Sequence, residues 1–186
     1  MRQFAFTIMP LLILILAFSC FDKESPNHPV EVRFQLLNDT GEPSTSFIEG
    51  EDILFDYRII NRLDESVTWY FDSHFNYRQM FTVYRIIPPS SEMPNGGIVE
   101  IGTPHTPKYM RDSRWGRHLP AKGEMVIRMS WKGDNEKTYM FDNWQIFYHE
   151  RDALTPGKYF VEFEQEITFA LYEAFHGKFR IDFEVK

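Results

Sequence analysis

Ile53-Leu54-Phe55-Asp56-Tyr57-Arg58-Ile59-Ile60-Asn61 is the stretch that decides the fold of this chain. Ile53, Phe55, Tyr57 and Ile59 fall on one side of an extended backbone, and Asp56 and Arg58 on the other. Side chains of a strand alternate between faces, so this period of two marks a strand with one buried and one wet side. The pattern repeats outward in both directions. Upstream, Val30, Val32, Phe34 and Leu36 alternate with Glu31, Arg33 and Gln35, and Asn38-Asp39-Thr40-Gly41-Glu42-Pro43 is turn chemistry. Downstream, Val67–Phe71 is shorter and continuously apolar, which predicts a strand buried on both sides. Met80–Ile87 follows and is stopped by Pro88-Pro89. Met125, Ile127, Met129 and Trp131 alternate again. The longest run is Tyr159, Val161, Phe163, Ile167, Phe169 and Leu171. A turn expected near His176-Gly177 leads to a last strand with Phe179, Ile181, Phe183 and Val185 inward.

Two segments resist this reading. Tyr139–Tyr148 fits a strand or a short amphipathic helix equally. Between Pro88 and Lys122 the alternation disappears among Pro94, Gly96-Gly97, Pro104, Pro107 and Pro120, around a short strand at Ile98–Ile101. A long irregular loop is the expectation there, and such loops are commonly functional. Seven or eight half-apolar strands without a long helix must bury their apolar faces against one another. The predicted fold is therefore all-β, an immunoglobulin-like antiparallel β-sandwich with one long loop, and an eight-stranded barrel is the alternative. Aromatic residues make up 17% of the chain, including 18 Phe, which suits pleated, packed faces.

The first twenty residues set the expected address. Arg2 is followed by an apolar run from Phe4 to Phe18, then Ser19 and Cys20, the one cysteine of the chain. The run is short for a bilayer span of roughly 20 residues and suits the core of an export signal. Leu16-Ala17-Phe18-Ser19-Cys20 resembles the lipobox of bacterial lipoproteins, although Phe18 stands where that family usually has a small residue. The resemblance implies cleavage before Cys20, acylation there, and a partner in the membrane itself. Residues 1–19 then form the signal peptide and 20–29 a polar tether, Phe21-Asp22-Lys23-Glu24-Ser25-Pro26-Asn27-His28-Pro29. Residues 30–186 form one β domain. Asp22-Lys23-Glu24 resembles the acidic tag of surface-exposed outer-membrane lipoproteins, so the expected location is the outer membrane of a bacterial cell envelope, facing outward.

Losing the signal removes Arg2 from 20 basic residues and none of the 27 acidic ones, so the net charge moves from −7 to one unit more negative. A chain this acidic lacks the electrostatic footprint for nucleic acid. With Cys20 acylated, no thiol remains for disulfides or nucleophilic catalysis, and packing has to hold the domain.

One further resemblance concerns the domain. Leu119-Pro120-x-x-Gly123-Glu124, Trp131-x-Gly133 and Leu154-x-Pro156-Gly157-x-Tyr159 fall in the order of the BsuPI-type intracellular proteinase inhibitor domain, with Phe47-x-x-Gly50-Glu51-x-Ile53 ahead of them. This implies an immunoglobulin-like fold and, as a function to test, proteinase inhibition. No inhibitory residue maps across, and the Pro88–Lys122 segment departs from the pattern.

Signs of chemistry are sparse. No Gly-x-Ser-x-Gly, His-Glu-x-x-His or phosphate loop occurs. The nearest approaches to a metal pattern, Asp72-x-His74 and His149-Glu150-x-Asp152, lack ligand spacing, so neither a metal nor another cofactor is expected. Two stretches mix rings with polar groups, Trp69–Tyr77 and Tyr139–Tyr148, and a third, Tyr109–His118, gathers Arg111, Arg114, Trp115, Arg117 and His118. Rings with polar handles suit glycan stacking or protein contact. The candidate ligand contacts are Arg114, Trp115, Arg117, Trp69, Tyr77 and Trp144. The expected function is a non-catalytic binding or assembly module for a glycan or an envelope protein.

Overall fold

The computed structural model describes residues 28, 30–70, 80–91, 93–107, 117–134, 136–140, 146–148 and 151–186. Cys20 and most of the tether lie outside the described residues. So do Tyr77, Arg114, Trp115, Trp144, Asp72, His74, His149 and Glu150.

The first sheet is built on the stretch that opened the sequence analysis. β1 (Val30–Leu37) pairs antiparallel with β3 (Leu54–Asn61), so that Phe34 faces Tyr57 and Gln35 faces Asp56. β3 pairs in turn with β9 (Glu124–Ser130), and two residues of β10 (Tyr139–Met140) extend the edge. The second sheet centres on a long hairpin, β12 (Gly157–Phe169) and β13 (Phe175–Val185). β2 (Ser46–Phe47) lies parallel beside β13, the only parallel pair among the described strands.

Along its other edge β12 meets two short strands end to end. β5 (Thr82–Ile87) pairs near its start and β4 (Val67–Tyr70) near its end. Outside them β6 (Gly97–Gly102) pairs β5, and β8 (Arg117–Leu119) pairs β4. Each pair of short strands thus follows one strand line, interrupted between residues 70 and 82 and between 102 and 117. A separate pair joins β7 (His105–Pro107) to β11 (Ile146–Tyr148).

The inner faces meet in an aromatic core. Phe34 of β1 packs edge-on to Phe163 of β12 with centroids 4.8 Å apart, and Phe81, just ahead of β5, lies 5.4 Å from Phe34 and 5.5 Å from Phe55. Tyr57 is fully buried 5.6 Å from Phe179, and burial pushes its ionisation well above the usual phenol range, so it stays neutral.

The entry to β12 is held by a hydrogen bond from its own first turn. Pro156-Gly157 turns the chain, Gly157 with a φ of 157°. Two residues on, the buried Tyr159 donates from its hydroxyl to the Thr155 carbonyl at 2.7 Å. This is the tyrosine corner of immunoglobulin-type sandwiches, at the start of their sixth strand.

Several expectations are corrected. The Pro88–Lys122 segment carries three strands, β6, β7 and β8, in place of one irregular loop. Its periodicity is weak because an edge strand need not bury one whole face. Val67–Tyr70 is buried only on its Val67 and Trp69 side. Both described parts of Tyr139–Tyr148 are strand. The last hairpin turns at 170–174, and His176-Gly177 lies within β13. A Cβ on Gly177 would sit 2.5 Å from the Phe175 ring and 2.9 Å from that of Phe179. The glycine makes room for rings and not for a turn. Leu171, the expected end of the β12 alternation, lies past the strand and is 87% exposed.

Candidate functional site

The outer face of the second sheet changes character along its length. Toward the 170–174 turn it is a ladder of charge. The register sets Glu162 opposite Arg180, Glu164 opposite Lys178 and Glu166 opposite His176. Contacts of 3.6 Å and 3.3 Å join the first two pairs. Toward the other end the ladder gives way to apolar groups. Phe160 stacks on Tyr84 at 4.9 Å and is covered by the Arg180 guanidinium at 3.8 Å. Burial raises the Tyr84 phenol above its usual range, and the nearby carboxylates of Glu100 and Glu162 add to the rise. Beside Tyr84 on the same strand stands Ile86, whose register partner is Ile98 of β6.

β6 is the outermost strand of this sheet among the described residues. Ile98 is 64% and Val99 46% exposed, and Met93 in the preceding turn is 43% exposed. That turn is rigid. Pro88-Pro89 end β5, the Ser90 hydroxyl accepts the Met93 N–H at 3.1 Å, and the Gly96 N–H donates to the Met93 carbonyl at 2.9 Å. Gly96 has a φ of 65°, and a Cβ there would lie 2.5 Å from the Ile87 carbonyl oxygen, so glycine is required. Gly97-Ile98-Val99-Glu100-Ile101-Gly102 contains neither lysine nor proline, the usual guards of an open edge. Its outer backbone side has no strand partner among the described residues and is a template for an added strand.

The sequence-derived candidates fare differently. Trp69 and Arg117 are brought together as register partners on β4 and β8. Trp69, however, is 2% exposed and belongs to the core, so its indole offers no face to a ligand. Arg117 is half-buried, and that burial pushes its guanidinium below the usual arginine range. Trp131 is buried as well, with the Arg151 guanidinium 5.1 Å from its ring centre and its indole N–H on the Asp152 carbonyl at 3.0 Å. Among the described residues both tryptophans are structural. The edge strand was visible in the sequence only as Ile98–Ile101, and its missing guards were the available signal.

The outer face of the first sheet has its own polar cluster. Asp56 is fully buried beneath two arginines. Arg58 Nε and Arg128 Nε each donate to its carboxylate at 2.7 Å, and Gln35 adds a bond at 3.1 Å. Burial pushes the Asp56 carboxyl up, but these bonds outweigh it and hold the group below the usual carboxylate range. Next to it a cavity of about 520 Å³ is lined by Arg58, Arg128 and Lys137 and by Asp39, Glu124 and Glu136. Its cations are already engaged, Arg58 with Glu124 at 3.1 Å and Lys137 with Asp39 at 2.7 Å. No group of three His, Cys, Asp or Glu side chains among the described residues is placed to share a metal.

The strand order defines the class. β1-β3-β9 in one sheet and β13-β12-β5 in the other take the places of the A-B-E and G-F-C strands of the immunoglobulin fold, with the tyrosine corner at the start of the F position. The chain is an immunoglobulin-like β-sandwich. Among solved structures, the ASH/PapD-like domain 7 of human CEP192 is 12% identical, with 100% of this chain and 97% of that one covered at a TM-score of 0.40. The Pseudomonas fluorescens alkylpurine DNA glycosylase AlkC bound to abasic-site DNA is 13% identical over 85% of this chain and 30% of its own, at 0.27. At these levels the class rests on the strand order itself. No family model and no curated protein sequence matches the chain.

Proposed function

We propose that this chain is a non-catalytic binding module, held at the bacterial envelope by a lipid on Cys20, and that it engages a partner protein by strand addition at β6. The observation that carries this reading is the edge Gly97–Gly102, regular from Gly97 to Glu100 before its register shifts, with Ile98 and Val99 exposed and the Ile86–Tyr84–Phe160 strip running inward from it. Backbone bonds along six residues, roughly 20 Å of strand, supply affinity, and side chains at alternate positions select the sequence. The exposed side chains are aliphatic. Trp69, one of the rings expected to stack on a sugar, is buried. A protein partner is therefore favoured over a glycan. The proteinase-inhibitor reading rests on turn motifs, and Pro156-Gly157 with Tyr159 serve the sandwich corner.

The test is affinity capture from detergent-solubilised envelope with the full chain and an Ile98→Lys/Val99→Lys variant. Both positions are exposed, so the variant should melt with the wild type while losing most of its captured partner. Capture that survives both changes, or glycan binding that ignores them, would remove the edge as the site. Acylation is checked in parallel, since Cys20→Ala should abolish fatty-acid labelling and release the protein from membranes.

A further inference from the structure

His28, eight residues after Cys20 in the chain, and the exposed Leu171 belong to the same end of the domain. His28 stands two residues ahead of β1. Its ring lies 5.3 Å from Phe169 and 6.2 Å from Phe175, edge-on to both. Its Nε2 is 3.1 Å from the Glu173 carbonyl oxygen, and its Nδ1 is 3.0 Å from the Val30 carbonyl oxygen and 3.2 Å from the Val30 nitrogen. That arrangement has Nε2–H donating to Glu173 and fixes the ring from two sides. The start of the domain is thereby clipped to the 170–174 turn.

Eight residues separate Cys20 from His28, and a chain of that length reaches at most about 26–29 Å. Leu171 stands two residues from Glu173, hence within about 7 Å of chain from the clip. A single exposed leucine is ordinary on a protein surface. This one is 87% exposed in the turn that His28 clips. Tyr172 follows it, half-exposed, and tyrosine is at home where an apolar layer meets water. Two of the acids near the turn have partners, while the Glu173 carboxylate is exposed to water. The Tyr172 hydroxyl donates to Glu65 at 3.2 Å, and Lys122 is 3.2 Å from Asp64.

We infer that the 170–174 turn is a membrane contact: Leu171 enters the boundary between headgroups and acyl chains of the bilayer that holds the Cys20 lipid, with Tyr172 at the headgroup level. The contact orients the sandwich more than it anchors it, because one leucine adds little to an acyl anchor. The opposite end then points away from the lipid. That end carries Ile48, the β5–β6 turn with Met93, and the first residues of β6. The β13 register places Phe47 beside Val185, about 33 Å along the strand from Phe175. This inference rests on the lipid anchor proposed above.

Acylation occupies the sulfur of Cys20, the sole cysteine, so a second cysteine can be labelled selectively. The full-length acylated protein carrying Leu171→Cys, or Ile48→Cys as the far-end control at 72% exposure, is labelled with nitrobenzoxadiazole. It is then reconstituted in phosphatidylethanolamine–phosphatidylglycerol vesicles containing doxyl-labelled lipid. The Leu171→Cys probe should shift to the blue and be quenched several-fold more than the Ile48→Cys probe. Equal quenching at both sites, or none at 171 in protein that floats with the vesicles, overturns the membrane contact and leaves the anchor standing. Protein that neither takes up labelled fatty acid nor floats overturns the anchor and the contact together.

Discussion

Replacing Asp56 with Asn tests the polar cluster on the first sheet without changing its shape. Asp56 is fully buried and accepts side-chain hydrogen bonds from Gln35, Arg58 and Arg128, the two arginine Nε bonds at 2.7 Å. Asn keeps the volume and removes the charge. Arg58 retains Glu124, whereas Arg128 has no second carboxylate within ion-pair reach among the described residues. Breaking a buried pair by removing one partner costs about 3–5 kcal/mol. Arg58 and Arg128 have side chains 24% and 29% exposed and recover part of their hydration, which places the cost near the bottom of that range, about 3 kcal/mol at neutral pH.

The sign of the pH dependence follows from the depressed carboxyl. A group whose folded pKa lies below its unfolded value contributes stability that is complete above the unfolded value, about 3.9 for Asp. That contribution fades as pH falls through the folded value. Urea unfolding of wild type and Asp56→Asn between pH 7 and pH 2.5 should show a constant gap down to about pH 4.5, and then convergence as wild-type Asp56 takes up its proton. The difference curve cancels the other carboxylates, which both proteins share. A gap below about 1 kcal/mol at pH 7, or one that persists unchanged in acid, would refute the account of Asp56 as a charge held by two arginines.

Two further outcomes are expected. Tyr159→Phe removes the 2.7 Å bond to the Thr155 carbonyl but keeps the ring stacked on Phe183, so it should cost about 1–1.5 kcal/mol in urea unfolding, and a neutral effect would deny the corner its role. Trp69→Ala should cost about 3–5 kcal/mol because the indole is core, while the same change at a ligand surface would leave stability untouched.

The strands with one wet face were legible in the sequence. Val30–Leu36, Met125–Met129 and Tyr159–Phe169 announce themselves because pleat geometry forces alternate residues to one side, whereas Ile53–Ile59 shows the same period but is buried on both faces, Asp56 included. The tyrosine corner was legible in part: Pro156-Gly157-x-Tyr159 marks a turn entering a strand. Leu171 misled because the alternation continues past the point where the hairpin turns. Gly177 misled because a glycine that makes room for neighbouring rings looks like a glycine in a turn.

What the sequence by itself determined is which residues of each strand face inward, since that depends on a chain's own backbone period. Only the tertiary structure decided that β6 is an open edge, that Trp69 is core, that Asp56 lies beneath Arg58 and Arg128, and that His28 clips the tether to the turn bearing Leu171. Each of these depends on which strands become neighbours. Neighbours are chosen by burying apolar faces from residues far apart in the chain, as His28 and Glu173 are, and no local pattern records that choice.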